Sequence, residues 1–243
     1  MFPHQRCLRP DERSAEIWFD APDGTRLSGV TLGSGTTGVL LAHQHWFNLC
    51  SWMPFARDLS RTGYRVLAFD FRGSGASPAP DQRVARNLDQ DVAGGVRELR
   101  RLGAQRVVLV GASMGATASL VEAAHPIHPP ELPVAGVVSV SGPTHFYEMN
   151  ALAAVERLHA PLLLIATAQD GRFTAAARSF YRAAPSVDKR LVILSGKGHG
   201  TGLLTSSTHS ARLRSLVLGF IREHAGPMPQ TAAASQRTIR PSR

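Results

Sequence analysis

The stretch Arg106-Val-Val-Leu-Val-Gly-Ala-Ser113-Met-Gly-Ala-Thr-Ala-Ser-Leu-Val-Glu122 reads as a buried strand that turns at once into a helix. Its first half is a continuous, β-branched-rich apolar run without polar alternation, the mark of a strand covered on both faces. Its second half is rich in alanine, a strong helix former. Between the two lies Gly111-Ala-Ser113-Met-Gly115, a G-x-S-x-G pattern. By itself so short a pattern is weak; its place between strand and helix gives it meaning. A sharp strand-to-helix turn holds the serine in a strained backbone conformation, so its neighbours must be small. The same turn lifts Oγ to the carboxyl end of the strand and aims the first helical N–H groups at whatever that oxygen attacks.

Runs of the same kind recur on both sides. Val39-Leu-Leu-Ala42, Arg65-Val-Leu-Ala-Phe-Asp70, Val134-Ala-Gly-Val-Val-Ser-Val140, Pro161-Leu-Leu-Leu-Ile-Ala166 and Arg190-Leu-Val-Ile-Leu194 are short and continuous. Helical patterns separate them over residues 53–62, 87–102, 114–124, 174–183 and 209–224. This alternation predicts an α/β protein with a doubly wound, mostly parallel sheet flanked by helices. Residues 16–21 and 26–32 flank the turn Pro22-Asp-Gly24 and read as an antiparallel hairpin at the sheet edge, giving eight strands in one domain over 15–225. Residues 1–14 form an N-terminal arm. The Pro-, Ala- and Ser-rich segment 226–243, with three arginines and no acid, reads as a disordered basic tail.

A serine hydroxyl is a poor nucleophile until a base takes its proton and an acid orients the base. Asp170 follows a later strand in Ile165-Ala-Thr-Ala-Gln-Asp170-Gly171, and His199 follows the last one in Leu194-Ser-Gly-Lys-Gly-His199-Gly200. Both loops fall on the same sheet edge as Ser113, in the chain order Ser…Asp…His. With these residues the chain resembles an α/β-hydrolase with a serine triad, over residues 15–225. His43-Gln44-His45 resembles that family's His-Gly-x oxyanion loop, and Asp70-Phe-Arg72-Gly73-Ser-Gly75-Ala-Ser77 matches its D-x-R-G-x-G-x-S loop.

The resemblance implies Ser113 as nucleophile, His199 as general base and then acid, and Asp170 as its orienter. It implies an oxyanion hole made by the backbone N–H groups of Met114 and His45. Gln44 departs from the family's glycine, so the loop backbone has to accommodate a side chain there. The run Ala42-His-Gln-His-Trp-Phe47-Asn48 also resembles the corresponding loop of dienelactone hydrolases, which carry cysteine where this chain has Ser113, so their activity is not implied. No cofactor is implied. Asp70 and Arg72 read as loop-organising residues, and His43 as a structural hydrogen-bonding histidine; His43 and His45 lack a third partner for a metal site. A serine at the elbow also disfavours the aspartate-nucleophile dehalogenases and epoxide hydrolases.

Only residues 142–160 separate the sixth and seventh strands, room for a loop and a short helix over 151–158, so no large cap domain is expected. The open rim is assigned to Trp46, Phe47, His145, Phe146, Tyr147 and Phe173, with Cys50, Met114 and Leu203 beside them. This apolar, aromatic set suits a small or medium uncharged ester or thioester. Rival uses of the same triad are perhydrolysis and C–C or amide hydrolysis; a different class is a non-catalytic binding protein on this fold.

Composition narrows the field. In 243 residues, 43% are hydrophobic and 19% charged, as in ordinary globular proteins. No apolar run approaches the roughly 18 residues that span a bilayer, and no signal-peptide core follows Met1, so a soluble, cytoplasmic protein without a membrane partner is expected. The net charge of +9 is carried by dispersed arginines, with Lys189 and Lys197 the only lysines. No basic run with interleaved aromatics appears, which argues against a nucleic-acid partner. Cys7 and Cys50 are too few for a disulfide scaffold or a cysteine zinc knot and read as free thiols.

Overall fold

The computed structural model describes residues 7–79, 81, 86–126 and 132–225. The tail 226–243 lies outside them. The eight sheet strands are β1 (Glu16–Asp20), β2 (Arg26–Leu32), β3 (Thr37–Ala42), β4 (Arg65–Phe69), β5 (Arg106–Ala112), β6 (Val134–Val140), β9 (Leu162–Thr167) and β10 (Lys189–Leu194). A two-stranded ribbon, β7 (His145–Phe146) and β8 (Met149–Asn150), stands apart. The helices are α1 (Met53–Arg61), α2 (Leu88–Arg101), α3 (Met114–Ala124), α4 (Ala151–Val155), α5 (Arg172–Ala183), α6 (Gly202–Thr205) and α7 (Ser210–Ala225).

The sheet order is β1-β2-β4-β3-β5-β6-β9-β10. β2 pairs antiparallel with both β1 and β4, and every later pairing is parallel. Alternating residues of the central strands feed two cores. Leu40, Leu67, Leu109, Val137 and Leu164 pack with Val92 and Val96 of α2, Leu120 of α3 and Phe180 of α5. Leu41, Val66, Val108, Val110, Val138 and Ile165 pack with Phe55 and Leu59 of α1 and with Leu213, Val217 and Phe220 of α7. Both faces are therefore dry, which is why these strands read as unbroken apolar runs. The carboxyl ends of β3, β5, β6, β9 and β10 share one edge, and the loops there are free to carry chemistry.

Between β6 and β9 the chain adds the ribbon and α4, with no lid domain among the described residues. The ribbon was not expected: two residues per strand leave no periodicity to read.

The two cysteines correct the free-thiol expectation. Cys7 and Cys50 form a disulfide, with Cα atoms 5.6 Å apart. The arm then makes a 3₁₀ turn over Pro10–Ala15 and is clamped by Arg57 of α1, whose guanidinium donates to Glu12 at 2.6 and 2.7 Å and to the Cys7 carbonyl at 2.7 Å. That guanidinium holds the Glu12 carboxyl below the usual carboxylate range. A separation of 43 residues carries no local signal; the fold alone brings the two sulfurs together. Disulfides persist in oxidising surroundings and are rare in the reducing cytosol, so the bridge counts against the cytoplasmic expectation. No described helix is long and apolar enough to cross a membrane. Cys7→Ser is expected to lower unfolding free energy by about 2–4 kcal/mol, because the reduced chain regains the entropy of an open loop. Urea denaturation of both proteins checks this.

Candidate active site

Ser113 sits between β5 and α3 with φ 48° and ψ −114°, a left-handed conformation that L residues rarely hold. Its N–H donates to the Val140 carbonyl at 2.8 Å, which fixes the turn against β6. The need for glycine at 115 is steric: a Cβ there would lie 2.3 Å from the Ala42 carbonyl oxygen and 2.6 Å from that of His43. The elbow thus packs against the end of β3 and the loop that follows it. Met114 opens α3, so its N–H is a first-turn donor without an intrahelical acceptor.

Asp170 and His199 meet as expected. His199 Nδ1 lies 3.0 Å from Asp170 Oδ1 and 3.1 Å from Oδ2. A carboxylate only accepts, so Nδ1 carries a proton, and in the neutral ring Nε2 is the nitrogen with the lone pair. The Phe173 ring packs on the imidazole, centroids 4.3 Å apart. Sequence reasoning missed Ser141, which is buried just past β6 with φ 54°. Its Oγ donates to Asp170 Oδ2 at 2.6 Å and accepts from the Gly200 N–H at 3.2 Å, so one hydroxyl joins the acid's loop to the base's loop. The available signal was a small polar residue before Gly142 at the carboxyl end of a buried strand.

The loop after β3 is fixed by His43. Its Nε2 accepts from the Phe71 N–H at 3.1 Å, so Nδ1 is protonated and donates to the Gln44 carbonyl at 2.8 Å. Burial pushes the pKa of this imidazole down and keeps it neutral. Both nitrogens are used, in keeping with a structural histidine. The Gln44 carbonyl also accepts from the Phe47 N–H at 3.2 Å, closing a turn that carries His45 and Trp46, the latter at φ 67°. The Gln44 side chain leaves this turn for the loop after β10: Oε1 accepts from the Thr201 N–H at 2.7 Å and from Thr201 Oγ1 at 3.2 Å.

Asp70 and Arg72 organise the neighbouring loop, as the sequence suggests. The Asp70 carboxylate accepts from the Leu49 and Ala76 N–H groups, each at 2.7 Å. The Arg72 guanidinium is fully buried and pairs with Asp91 at 2.6 and 2.8 Å and with Asp23 at 2.8 Å.

Several of the residues assigned to the rim pack together as rings. His45 packs on Trp46 and Phe146, centroids 4.2 and 5.3 Å apart, and Phe146 packs on Tyr147 at 4.6 Å. Trp46 is 88% exposed, and Phe47 and Tyr147 are about half exposed. Tyr147, like Trp46, has a left-handed backbone, φ 49°. Partial burial lowers the pKa of the His45 ring. His145 is exposed and bonds its neighbour Thr144 at 3.3 Å rather than joining the rings. Three rim candidates are corrected. The Met114 and Leu203 side chains belong to the two cores, and Cys50 is taken by the disulfide.

Residues 37–159, half of the chain, match the family model described as alpha/beta hydrolase fold. Over 95 residues the chain is 36% identical to bifunctional epoxide hydrolase 2 of Sus scrofa and 38% identical, again over 95, to epoxide hydrolase A of Mycobacterium tuberculosis. These segments cover 38% and 39% of this chain but only 16% and 30% of those relatives. Among solved structures, an esterase of Pyrococcus furiosus superposes with a TM-score of 0.76 at 19% identity, over 90% of this chain and 95% of that one. The esterase domain of a Rhodothermus marinus protein gives 0.68 at 22% identity, over 87% and 98%. The sheet order, the strained serine turn between β5 and α3 and the matched family model lead to one conclusion: this chain belongs to the α/β-hydrolase fold family.

Proposed function

We propose that this protein is a serine hydrolase that cleaves a carboxylic ester or thioester of a small or medium uncharged substrate through an acyl-serine intermediate. The observation that carries the proposal is the strained Ser113 turn on the same sheet edge as a His199–Asp170 pair whose Nδ1–H is already committed to the carboxylate. In the proposed reaction His199 Nε2 takes the proton of Ser113 Oγ as it attacks the carbonyl carbon. The N–H groups of Met114 and His45 receive the oxyanion, each worth about 10²–10³ in rate. His199 then returns the proton to the leaving alkoxide or thiolate, and a water activated by the same imidazole releases the acid. Asp170, steadied by Ser141, keeps the imidazole in the tautomer this requires.

The epoxide hydrolases among the relatives raise a second substrate class, which Ser113 disfavours. A carboxylate that opens an epoxide forms an ester that water can cleave, whereas a serine would form an ether and stop after one turnover. The exposed Trp46, Phe47 and Tyr147 side chains suit an apolar acyl or alcohol group at an open mouth. A panel of p-nitrophenyl esters, matched thioesters and styrene oxide tests the proposal. Turnover of acetate or butyrate esters without epoxide consumption is expected; steady epoxide turnover with inert esters would overturn it.

A further inference from the structure

Gln44 stands where the resembled family carries glycine, and its buried side chain crosses from one functional loop to another. Its Oε1 accepts from the N–H and Oγ1 of Thr201, two residues beyond His199, at 2.7 and 3.2 Å. The other loop has been shaped to receive it. Gly200 has φ 59°, and a Cβ there would lie 1.8 Å from Gln44 Oε1. On its own loop, the Gln44 carbonyl is held by His43 Nδ1–H and closes the turn that bears the His45 N–H.

The sheet itself relates these loops only remotely. One follows β3 and the other β10, and β5, β6 and β9 lie between them. Four strand spacings put the two strand ends roughly 19 Å apart. No ladder hydrogen bond couples these two strands; the Gln44–Thr201 contact joins their loops directly. We propose that Gln44 is a positioning residue that fixes the separation between the oxyanion donor at His45 and the base at His199. This rests on the serine-hydrolase reading of the site. Transition-state stabilisation needs both groups placed at once, and an error near 1 Å between them costs about 10²-fold.

The test compares Gln44→Met, which keeps the length and removes the acceptor, with Gln44→Glu, which keeps an accepting oxygen. Wild type and variants are assayed with p-nitrophenyl acetate, and thermal melting reports the folded fraction. Gln44→Met is expected to lower kcat roughly 10- to 100-fold with KM within about twofold, and Gln44→Glu to recover most of that loss. A residue that serves stability alone would lower the melting temperature and leave kcat per folded molecule unchanged; that result overturns the proposal. Equal losses in Met and Glu variants do so as well. If Gln44→Met does not fold, Gln44→Asn, polar but one methylene short of Thr201, is expected to show the same kcat loss, and wild-type kcat in it overturns the proposal. Wild-type protein that forms no fluorophosphonate adduct on Ser113 overturns both this inference and the reading it rests on. Normal labelling and turnover in the Gln44 variants overturn this inference alone.

Discussion

Ser113→Ala is expected to lower ester turnover by roughly 10⁶-fold, to the level left by binding and oxyanion donors, while the protein stays folded. The size of the effect follows from the division of labour at the site. In the proposed reaction His199 and Asp170 act only through a hydroxyl that can be deprotonated and acylated, so its removal disables all three together. The fold survives because the elbow is held by backbone contacts, the Ser113 N–H to Val140 and the close approach of Gly115 to Ala42, which alanine retains. Steady-state kinetics alongside thermal melting check both halves; turnover within tenfold of wild type would remove Ser113 from the chemistry.

The second large effect is on stability. Asp91→Ala is expected to cost about 3–5 kcal/mol, because it leaves the Arg72 guanidinium buried without its principal partner. The Asp91 carboxyl accepts from Arg72 Nε, Nη2 and the Arg72 N–H at 2.8, 2.6 and 2.9 Å, and both side chains are fully buried. Burial pushes the Asp91 carboxyl up to about 6 against the pull of Arg72, so at pH 7 the pair is still ionised. Asp23 is partly exposed and meets Nη1 rather than the Nε and Nη2 edge that Asp91 takes, so it does not replace the lost carboxylate. Removing both charges with Arg72→Met and Asp91→Leu is expected to cost less than Asp91→Ala alone, since the charge then left without its partner is the partly exposed Asp23 carboxylate rather than a fully buried guanidinium. Urea unfolding of the three variants checks the order; a larger loss in the double variant would contradict it.

What the sequence disclosed follows from locality. A strand buried on both faces must be a continuous apolar run, so the parallel strands were legible, and the edge hairpin of β1 and β2 was legible from the turn between its arms; β2 and β6 matched at both ends. The elbow was legible because strand, small residues and helix adjoin within a few positions, and Asp170 and His199 because each follows a strand end directly. The rest depended on contacts between distant segments. Ser141 gains its meaning only when β6, β9 and β10 bring two loops around its hydroxyl. The Cys7–Cys50 bridge and the reach of Gln44 to Thr201 span 43 and 157 residues, and no local pattern announces either. Position in the chain points Met114 and Leu203 to the rim, but both side chains turn inward, where apolar burial is favourable.

Whether Ser113 is an activated nucleophile is read out by a fluorophosphonate probe with mass-spectrometric mapping of the adduct. One adduct per chain, on Ser113 and absent from Ser113→Ala, is the predicted result. Folded protein that stays unlabelled, or that labels at another residue, would contradict it.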